Sequence, residues 1–412
     1  MTTVTLGSPL QQQRIHSINR VFKSAMSEQL GDKHHDPLPQ QARLYQTWAK
    51  GEVGICVSGN VMIDRNALGE PGNVVLDQHS DLRKFKQWAV AADINGSKLW
   101  MQLNHPGKQI PAVLSPEPLA PSAISLGRGL EKSFNTPRAM TEAEIQATIA
   151  AFATAATLAK EAGFAGVQIH GAHGYLVSQF LSPRHNQRDD QWGGSADNRM
   201  RFVLAVFHAI RAAVGEDFPI GIKLNSADFM KDGFDETESM AVIKALDSAG
   251  IDLIEISGGT YESPSMMGAG KKTDVKASTA KREAYFLEYA EQARHQVNCT
   301  LVVTGGFRSA KAMNEALASG ATDMIGLGRP LSLVPDLAKQ AIHNDDFSVD
   351  VNNPTTGFKG LDAAAMLSIT WYEAQLRRIG RGLEPKYNLS GWYAVFDTFT
   401  RLGKFAFAKR RG

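Results

Sequence analysis

The sequence predicts a closed (β/α)8 TIM barrel followed by a C-terminal helical extension. Short apolar segments alternate with helical patterns until the count of strands reaches eight, which favours a closed barrel over an open doubly wound sheet. The last two of these segments end in glycine-rich turns, where barrels commonly bind phosphate. The 412 residues exceed an average domain, yet α/β barrels use about 250 or more residues as one unit. Residues 1–340 are expected to form the barrel and residues 341–412 the extension.

Taken in order, Arg20 to Met26 is the first expected strand, followed by a helix over Pro39 to Lys50. Val53 to Ser58 is the second, with a helix near His79 to Ile94. Lys98 to Leu103 is the third. A polar loop from Asn104 to Thr141 then carries Pro106, Pro111, Pro116, Pro118 and Pro121; loops of that length in a compact fold usually bind or cover something. Thr141 and Glu144 form a capping box for a helix reaching Ala162. The fourth strand begins at Gly166, and the later ones are Ile220 to Leu224, Asp252 to Ile256, Thr300 to Thr304 and Asp323 to Leu327. Asn198 to Val214 and Thr237 to Ala249 show helical patterns in the gaps, and Asp362 to Ile379 shows one in the extension.

Composition narrows the function classes. Hydrophobic residues at 43%, charged residues at 21% and a formal charge of +2 describe an ordinary globular protein with no basic footprint for nucleic acid. Cys56 and Cys299 are the two cysteines, too few for a disulfide framework or a four-cysteine iron–sulfur cluster. The first twenty residues lack an apolar signal core, and no run approaches membrane-spanning length, so a cytoplasmic setting is expected.

The chemistry concentrates in the stretch from Gly166 to Pro183. Its strand delivers His170, His173 and Tyr175 at the carboxyl end, where parallel α/β proteins meet their ligands. Two imidazoles and a phenol there supply two hydrogen-bond donors and a proton donor, although one His could be a core residue and Tyr175 could be packing. The seventh strand runs into Gly305 and Gly306, the eighth into Gly328 and Arg329. Glycine backbone and a fixed cation there suit a phosphate. Other strand ends carry Ser24 to Ser27, Gly59, Gln102, Lys223, and Ser257 with Gly258 and Gly259, donors suited to a planar heteroaromatic ring. Singly, each has a plainer reading: Gln102 could cap a turn, and Lys223 could pair with Glu255. A charge inside a barrel strand needs some partner.

These residues lie in motifs whose order resembles the old yellow enzyme family of FMN-dependent oxidoreductases over residues 10 to 335. The motifs are NRVFKSAMS from Asn19, MQLNHPGK from Met101, APSAI from Ala120, GFAGVQIHGAHGYLVSQFLSP ending at Pro183, RHNQRDDQWGGSADNRMRF ending at Phe202, TGGF and GLGRPL. The pattern is nearer the bacterial and 2,4-dienoyl-CoA-reductase-like branches than the yeast-type enzymes. The resemblance implies FMN as cofactor and NADH or NADPH as reductant. By position, Ser24, Ala25 and Met26 would line the flavin by backbone. Ser27 would sit beside O4 and N5, where it tunes the potential, and Gly59 and Gln102 would touch the ring edge. Lys223 would lie by N1 and O2, and Gly305, Gly306, Gly328 and Arg329 would hold the phosphate. His170 and His173 would grip the oxygen of an α,β-unsaturated carbonyl or nitro compound, while Tyr175 protonates the α-carbon after hydride transfer to the β-carbon.

The sequence departs from the pattern at two places. Gln29 replaces a Tyr common in thermophilic bacterial relatives, which implies a more polar pocket on that side. Asn104 replaces a bulky aromatic of the yeast-type enzymes, which implies more room. With two cysteines and no Rossmann pattern, the second flavin domain and cluster of the dienoyl-CoA reductases are not expected. A homo-oligomer is expected, with a small electrophilic alkene, quinone or nitro compound as substrate. The tail from Trp392 places Val395, Phe396, Phe399 and Leu402 at helical spacing ahead of Lys404, Lys409, Arg410 and Arg411. Packing on the barrel or a subunit neighbour is favoured over a membrane surface. Alternatives of other kinds are an FMN barrel acting mainly on quinones, nitro compounds or oxygen, a Lys223 Schiff-base aldolase, a metal-dependent hydrolase using His170 and His173, and a non-enzymatic flavin-binding protein.

Overall fold

A computed structural model describes residues 3–127, 129–260, 262 and 275–402. Lys404, Lys409, Arg410 and Arg411 of the basic tail lie outside the described residues. Eight parallel strands close on themselves: β1 Val21–Lys23, β2 Ile55–Met62, β3 Lys98–Asn104, β4 Gly166–Gly171, β5 Ile220–Asn225, β6 Leu253–Ser257, β7 Thr300–Thr304 and β8 Met324–Leu327. Closure runs through β1, which pairs Val21 with Ile325 on β8 and Phe22 with Ile55 on β2. The expected (β/α)8 TIM barrel is therefore the fold.

The helices between the strands are α1 Pro39–Lys50, α2 Leu82–Ala92, α3 Glu142–Glu161, the short α4 Leu176–Leu181, α5 Ala196–Val214, α6 Glu236–Ala249, α7 Val275–Arg294 and α8 Ala310–Ala318, with α9 Leu337–His343 following β8. Their starts follow side-chain capping. Thr141 makes the anticipated capping box with Glu144, while Asp81, Ser195, Asp235 and Ser309 each accept a backbone N–H of the first turn. Buried apolar faces of these helices form the main core against the outside of the barrel.

Two expectations about extent are corrected. β1 ends at Lys23 rather than Met26, because the chain leaves the ladder there. Fully buried Lys23 pairs with Glu28 at 3.2 Å, so residues 24–28 must loop back over it. The helix expected from Asp362 to Ile379 is two helices, α10 Lys359–Ala364 and α11 Leu367–Gly380, broken at Met366, whose φ is 46°. α11 packs on α1, with Gly380 close against the Gln40 carbonyl, and is followed by α12 Gly391–Leu402. Trp371, Tyr372, Ala394 and Val395 bind α11 and α12 together in a small apolar cluster.

The barrel interior is plugged from below. A hairpin of Leu10–Gln12 and Ile15–Ser17, not anticipated from the sequence, sends Leu10 and Ile15 against Phe22, Ile55, Trp100, Leu253, Val302 and Met324. Arg14 of the hairpin turn reaches buried Asp252 at 2.8 Å, and Arg211 meets its other oxygen at 2.7 Å. Trp100 fills the lumen only because position 166 is glycine: a Cβ there would lie 2.6 Å from the indole. Gly166→Ala is expected to lower stability by about 1–3 kcal/mol through overpacking. A thermal midpoint equal to that of the parent would show that Trp100 is not confined in this way.

Candidate active site

The carboxyl ends of the strands are joined by a belt of buried hydrogen bonds. Ser24 Oγ of the β1 end lies 2.8 Å from Thr304 Oγ1 of β7, which donates to Glu255 of β6 at 2.7 Å. Lys223 of β5 donates to the same carboxylate oxygen at 2.9 Å, and Gln168 of β4 to the other oxygen at 2.8 Å. Gln102 of β3 in turn donates to Gln168 at 2.7 Å. Burial alone would raise the Glu255 carboxyl. The Lys223 charge and the three donors outweigh burial and hold it below the ordinary value. The partner that a barrel lysine requires is thus Glu255, the pairing weighed from the sequence, so Lys223 does not need a ligand to balance its charge.

His170 stands directly opposite Lys223 in the β4–β5 register. Its ring centroid lies 5.2 Å from that of His173 and 4.8 Å from that of Tyr175, so the three side chains converge. Two successive left-handed residues, His173 at φ 62° and Gly174 at φ 77°, turn the chain sharply and carry it into α4, which is buried throughout. Tyr175 occupies the position just before that helix and stays 6% exposed. Its hydroxyl faces Asn60 Nδ2 at 3.5 Å. His170 Nδ1 accepts the Ala172 N–H at 3.3 Å, which assigns its ring proton to Nε2. His173 Nε2 shares a 2.9 Å bond with Ser257 Oγ. Burial, then His173 and Lys223, pushes His170 well below its usual range, and burial with Lys223 does the same to His173. Both imidazoles are neutral at neutral pH and present N–H groups rather than charge.

The turns after β7 and β8 carry the glycines and the arginine to which the sequence assigns a phosphate. Gly305 and Gly306 adopt φ of 141° and 86°, conformations that side chains rarely take, so the turn after β7 offers bare backbone. Arg329 makes no ion pair among the described residues; its guanidinium lies 5.8 Å from the ring of Tyr372 on α11. Gly328 sits beside Met26, linking this end to the segment after β1. At the ring end, the buried Gln102 Oε1 has no hydrogen-bond partner, an unspent acceptor at a position assigned to a flavin edge. A bare-backbone turn, an unspent cation and an orphaned amide oxygen together fit a phosphorylated heteroaromatic such as FMN.

Other assigned residues also make contacts within the protein. The Gly59 N–H is spent on Tyr45 Oη at 3.0 Å, and a Cβ at this position would strike the Met26 carbonyl at 2.5 Å. Its glycine is required by packing of the 24–28 segment, supported by a bulge between Val57 and Asn60. Ser27 and Gln29 both turn to Glu373 of α11. Asn104 is fully buried, its amide nitrogen 3.9 Å from Met62 Sδ. Sequence reasoning missed Thr304, Gln168 and the Lys108–His185–Glu262 group that pins the long loop. There Lys108 reaches the Ile124 carbonyl at 2.8 Å and His185 at 2.9 Å, and Glu262 accepts the Gly127 N–H at 2.8 Å. Alternation along the strands could have flagged Gln168 as a polar residue pointing into a barrel; no sequence signal points to Glu373.

A barrel whose mouth brings together two neutral imidazoles, a phenol and a bare glycine turn has the parts a flavin-dependent oxidoreductase needs. The chain belongs to the NADH:flavin oxidoreductase / NADH oxidase family, whose model matches residues 6–346. FMN is the cofactor of this class, with NADH or NADPH as reductant. The chain is 37% identical over 345 residues to the NADH-dependent flavin oxidoreductase iliE of Neonectria sp., covering 79% of this chain but 45% of that one. It is 36% identical to iliE of Hypocrea jecorina, covering 80% of this chain and 86% of the relative. Among solved structures, a 2-naphthoyl-CoA reductase in complex with 2-naphthoyl-CoA superposes with a TM-score of 0.76 at 28% identity, over 82% of this chain and 52% of that chain. The chain thus spans about half the length of two of these three. No helix among the described residues is long and apolar enough to cross a membrane.

Two outcomes check this geometry. Arg329→Ala is expected to weaken FMN retention without unfolding the barrel; full flavin occupancy after purification would move the phosphate site elsewhere. Because both imidazoles titrate below their ordinary value, affinity for a neutral carbonyl ligand is expected to stay flat between about pH 6.5 and pH 8. It should fall only at lower pH, as the N–H donors become buried charges. A binding midpoint at or above 6.5 would mean that the histidines are solvated.

Proposed function

We propose that this protein reduces the C=C bond of α,β-unsaturated carbonyl or nitro compounds, with Tyr175 as the proton donor and His170 and His173 as the oxygen-binding pair. The observation that carries the reading is the convergence of two neutral imidazoles and a phenol on one strand end. When bound, FMN supplies hydride taken from NAD(P)H. Ser24, Ala25, Met26, Ser27, Gly59, Gln102 and Lys223 would line its ring, and Gly305, Gly306, Gly328 and Arg329 its phosphate.

The protein's own part is polarisation and proton delivery. His170 Nε2–H and an N–H of His173 would donate to the substrate oxygen, drawing electron density from the β-carbon. Donors preorganised toward developing oxyanion charge contribute about 3 kcal/mol each in other enzymes. Neutral imidazoles suit this work, since they donate without requiring an extra buried charge. Tyr175 would place its hydroxyl proton on the α-carbon. The long loop, pinned by Lys108, His185 and Glu262, would wall the substrate side of the mouth.

The half-reactions separate these roles in stopped-flow traces. Tyr175→Phe is expected to leave flavin reduction by NAD(P)H near the parent rate while slowing enone reduction markedly. Quinone or oxygen reduction, which needs no proton on carbon, should survive. His170→Ala or His173→Ala should instead weaken enone binding, each by about 1–3 kcal/mol for a lost donor. An enone rate unchanged in Tyr175→Phe would return that residue to packing and leave quinone, nitro or oxygen reduction as the better reading.

A further inference from the structure

Ser27 Oγ lies 2.6 Å from Glu70 Oε2 and 2.8 Å from Glu373 Oε1. A serine hydroxyl carries one hydrogen, so it can donate to one of these oxygens only. If both carboxyls were ionised, the other would face a lone pair across a hydrogen-bond distance. A second proton must therefore reside in the trio, on one carboxyl that donates to Ser27 Oγ.

The surrounding charges give the same count. Glu373 is buried to 1% exposure and also accepts from Gln29 at 2.9 and 3.0 Å. Arg401 of α12 reaches Glu373 at 3.2 Å, and Arg377 approaches it at 3.7 Å. Both guanidinium groups also pair with Asp397. Asn73 Nδ2 lies 3.4 Å from Glu70. Three acids, Glu70, Glu373 and Asp397, thus stand against two guanidinium groups, and one retained proton makes the cluster neutral. Glu373 faces both guanidinium groups, whereas Glu70 is hydrogen-bonded by Ser27 and the Asn73 amide, which places the proton on Glu70; burial, then the Glu373 charge, pushes that carboxyl up to about 8.

We propose that Glu373 and Glu70 are positioning residues for the flavin edge, sharing one proton across Ser27 so that its hydroxyl oxygen is left as an acceptor. The chain of donors runs from the Glu70 O–H to Ser27 Oγ and from the Ser27 O–H to Glu373. An acceptor beside the ring favours a cofactor that has gained an N–H over one that offers a lone pair, and so raises the reduction potential. Loss of the shared proton adds a negative charge at the same place and opposes reduction. The helices after the barrel, through Glu373, Arg377 and Arg401, thereby set the potential of a flavin they need not touch. This inference rests on the placement of the flavin beside Ser27 under the proposed function.

The test uses the protein carrying FMN, compared with Glu70→Gln, Glu373→Gln and Ser27→Ala from about pH 6 to pH 10, a range above the ordinary carboxyl value and up to the phenol value. Infrared spectra in H2O and D2O read the exchangeable carboxylic-acid carbonyl band, and redox titration reads the midpoint potential. The parent should show the band at neutral pH, lose it through about 8, and bend its potential–pH profile there. Glu70→Gln should lack both the band and the bend. Glu373→Gln should move the bend to lower pH, because the like charge that raises Glu70 is gone. Should that buried variant fail to fold, Glu70→Gln carries the same contrast. No band at neutral pH, or a parent profile without a bend, overturns the proposal. A band that behaves as stated while Ser27→Ala leaves the potential untouched overturns the placement of the flavin instead.

Discussion

The mouth of this barrel depends on one buried carboxylate. Glu255 is fully enclosed on β6, where an ionised group without partners would be costly. It is held by Lys223, Thr304 and Gln168, one from each of three other strands, and each of those is tied onward or opposed in register to a site residue. Ser24 meets Thr304, Gln102 meets Gln168, and His170 faces Lys223. The carboxylate therefore fixes strand ends that lie far apart in the chain. The Lys223 charge it balances is also one of the charges that keep the neighbouring imidazoles neutral.

Charge is handled by the same device at several depths. Lys23 is neutralised by Glu28 beneath the segment after β1, with Tyr45 Oη and the Val57 carbonyl accepting from its ammonium. Asp252 is clamped by Arg14 and Arg211 at the closed end. Buried ion pairs of this kind contribute little net stability against a well-packed apolar alternative, but losing one partner leaves a stranded charge. They define register and orientation more than they add stability. The Glu70–Ser27–Glu373 group differs because its acids outnumber its cations unless a proton is kept, which makes it responsive where the other clusters are fixed.

Much of the site was legible because it is local. His170, His173 and Tyr175 lie within six residues at a strand end, so strand identity alone predicts that they converge. That Gly305, Gly306 and Arg329 follow neighbouring strands was legible for a related reason: the order of strands in a closed barrel makes the seventh and eighth neighbours. The status of Lys223 was only half legible, since the need for a partner could be read but the choice between Glu255 and a ligand could not. Gly59 was assigned to the ring edge from its position, but that its N–H bonds Tyr45 was not legible.

By itself, then, the sequence determined the strand count, the closed barrel, the alternation of helices and the cluster after β4. Those follow from periodicity, capping and turn chemistry acting over a few residues. Tertiary structure alone decided what meets across the chain: the hairpin that plugs the lumen around Trp100, the break at Met366, and the seating of Glu373 on Ser27 across 346 positions. A side chain's partner at that separation is set by how helices pack and where charges can be buried together. Neither quantity is written in the local pattern of residues.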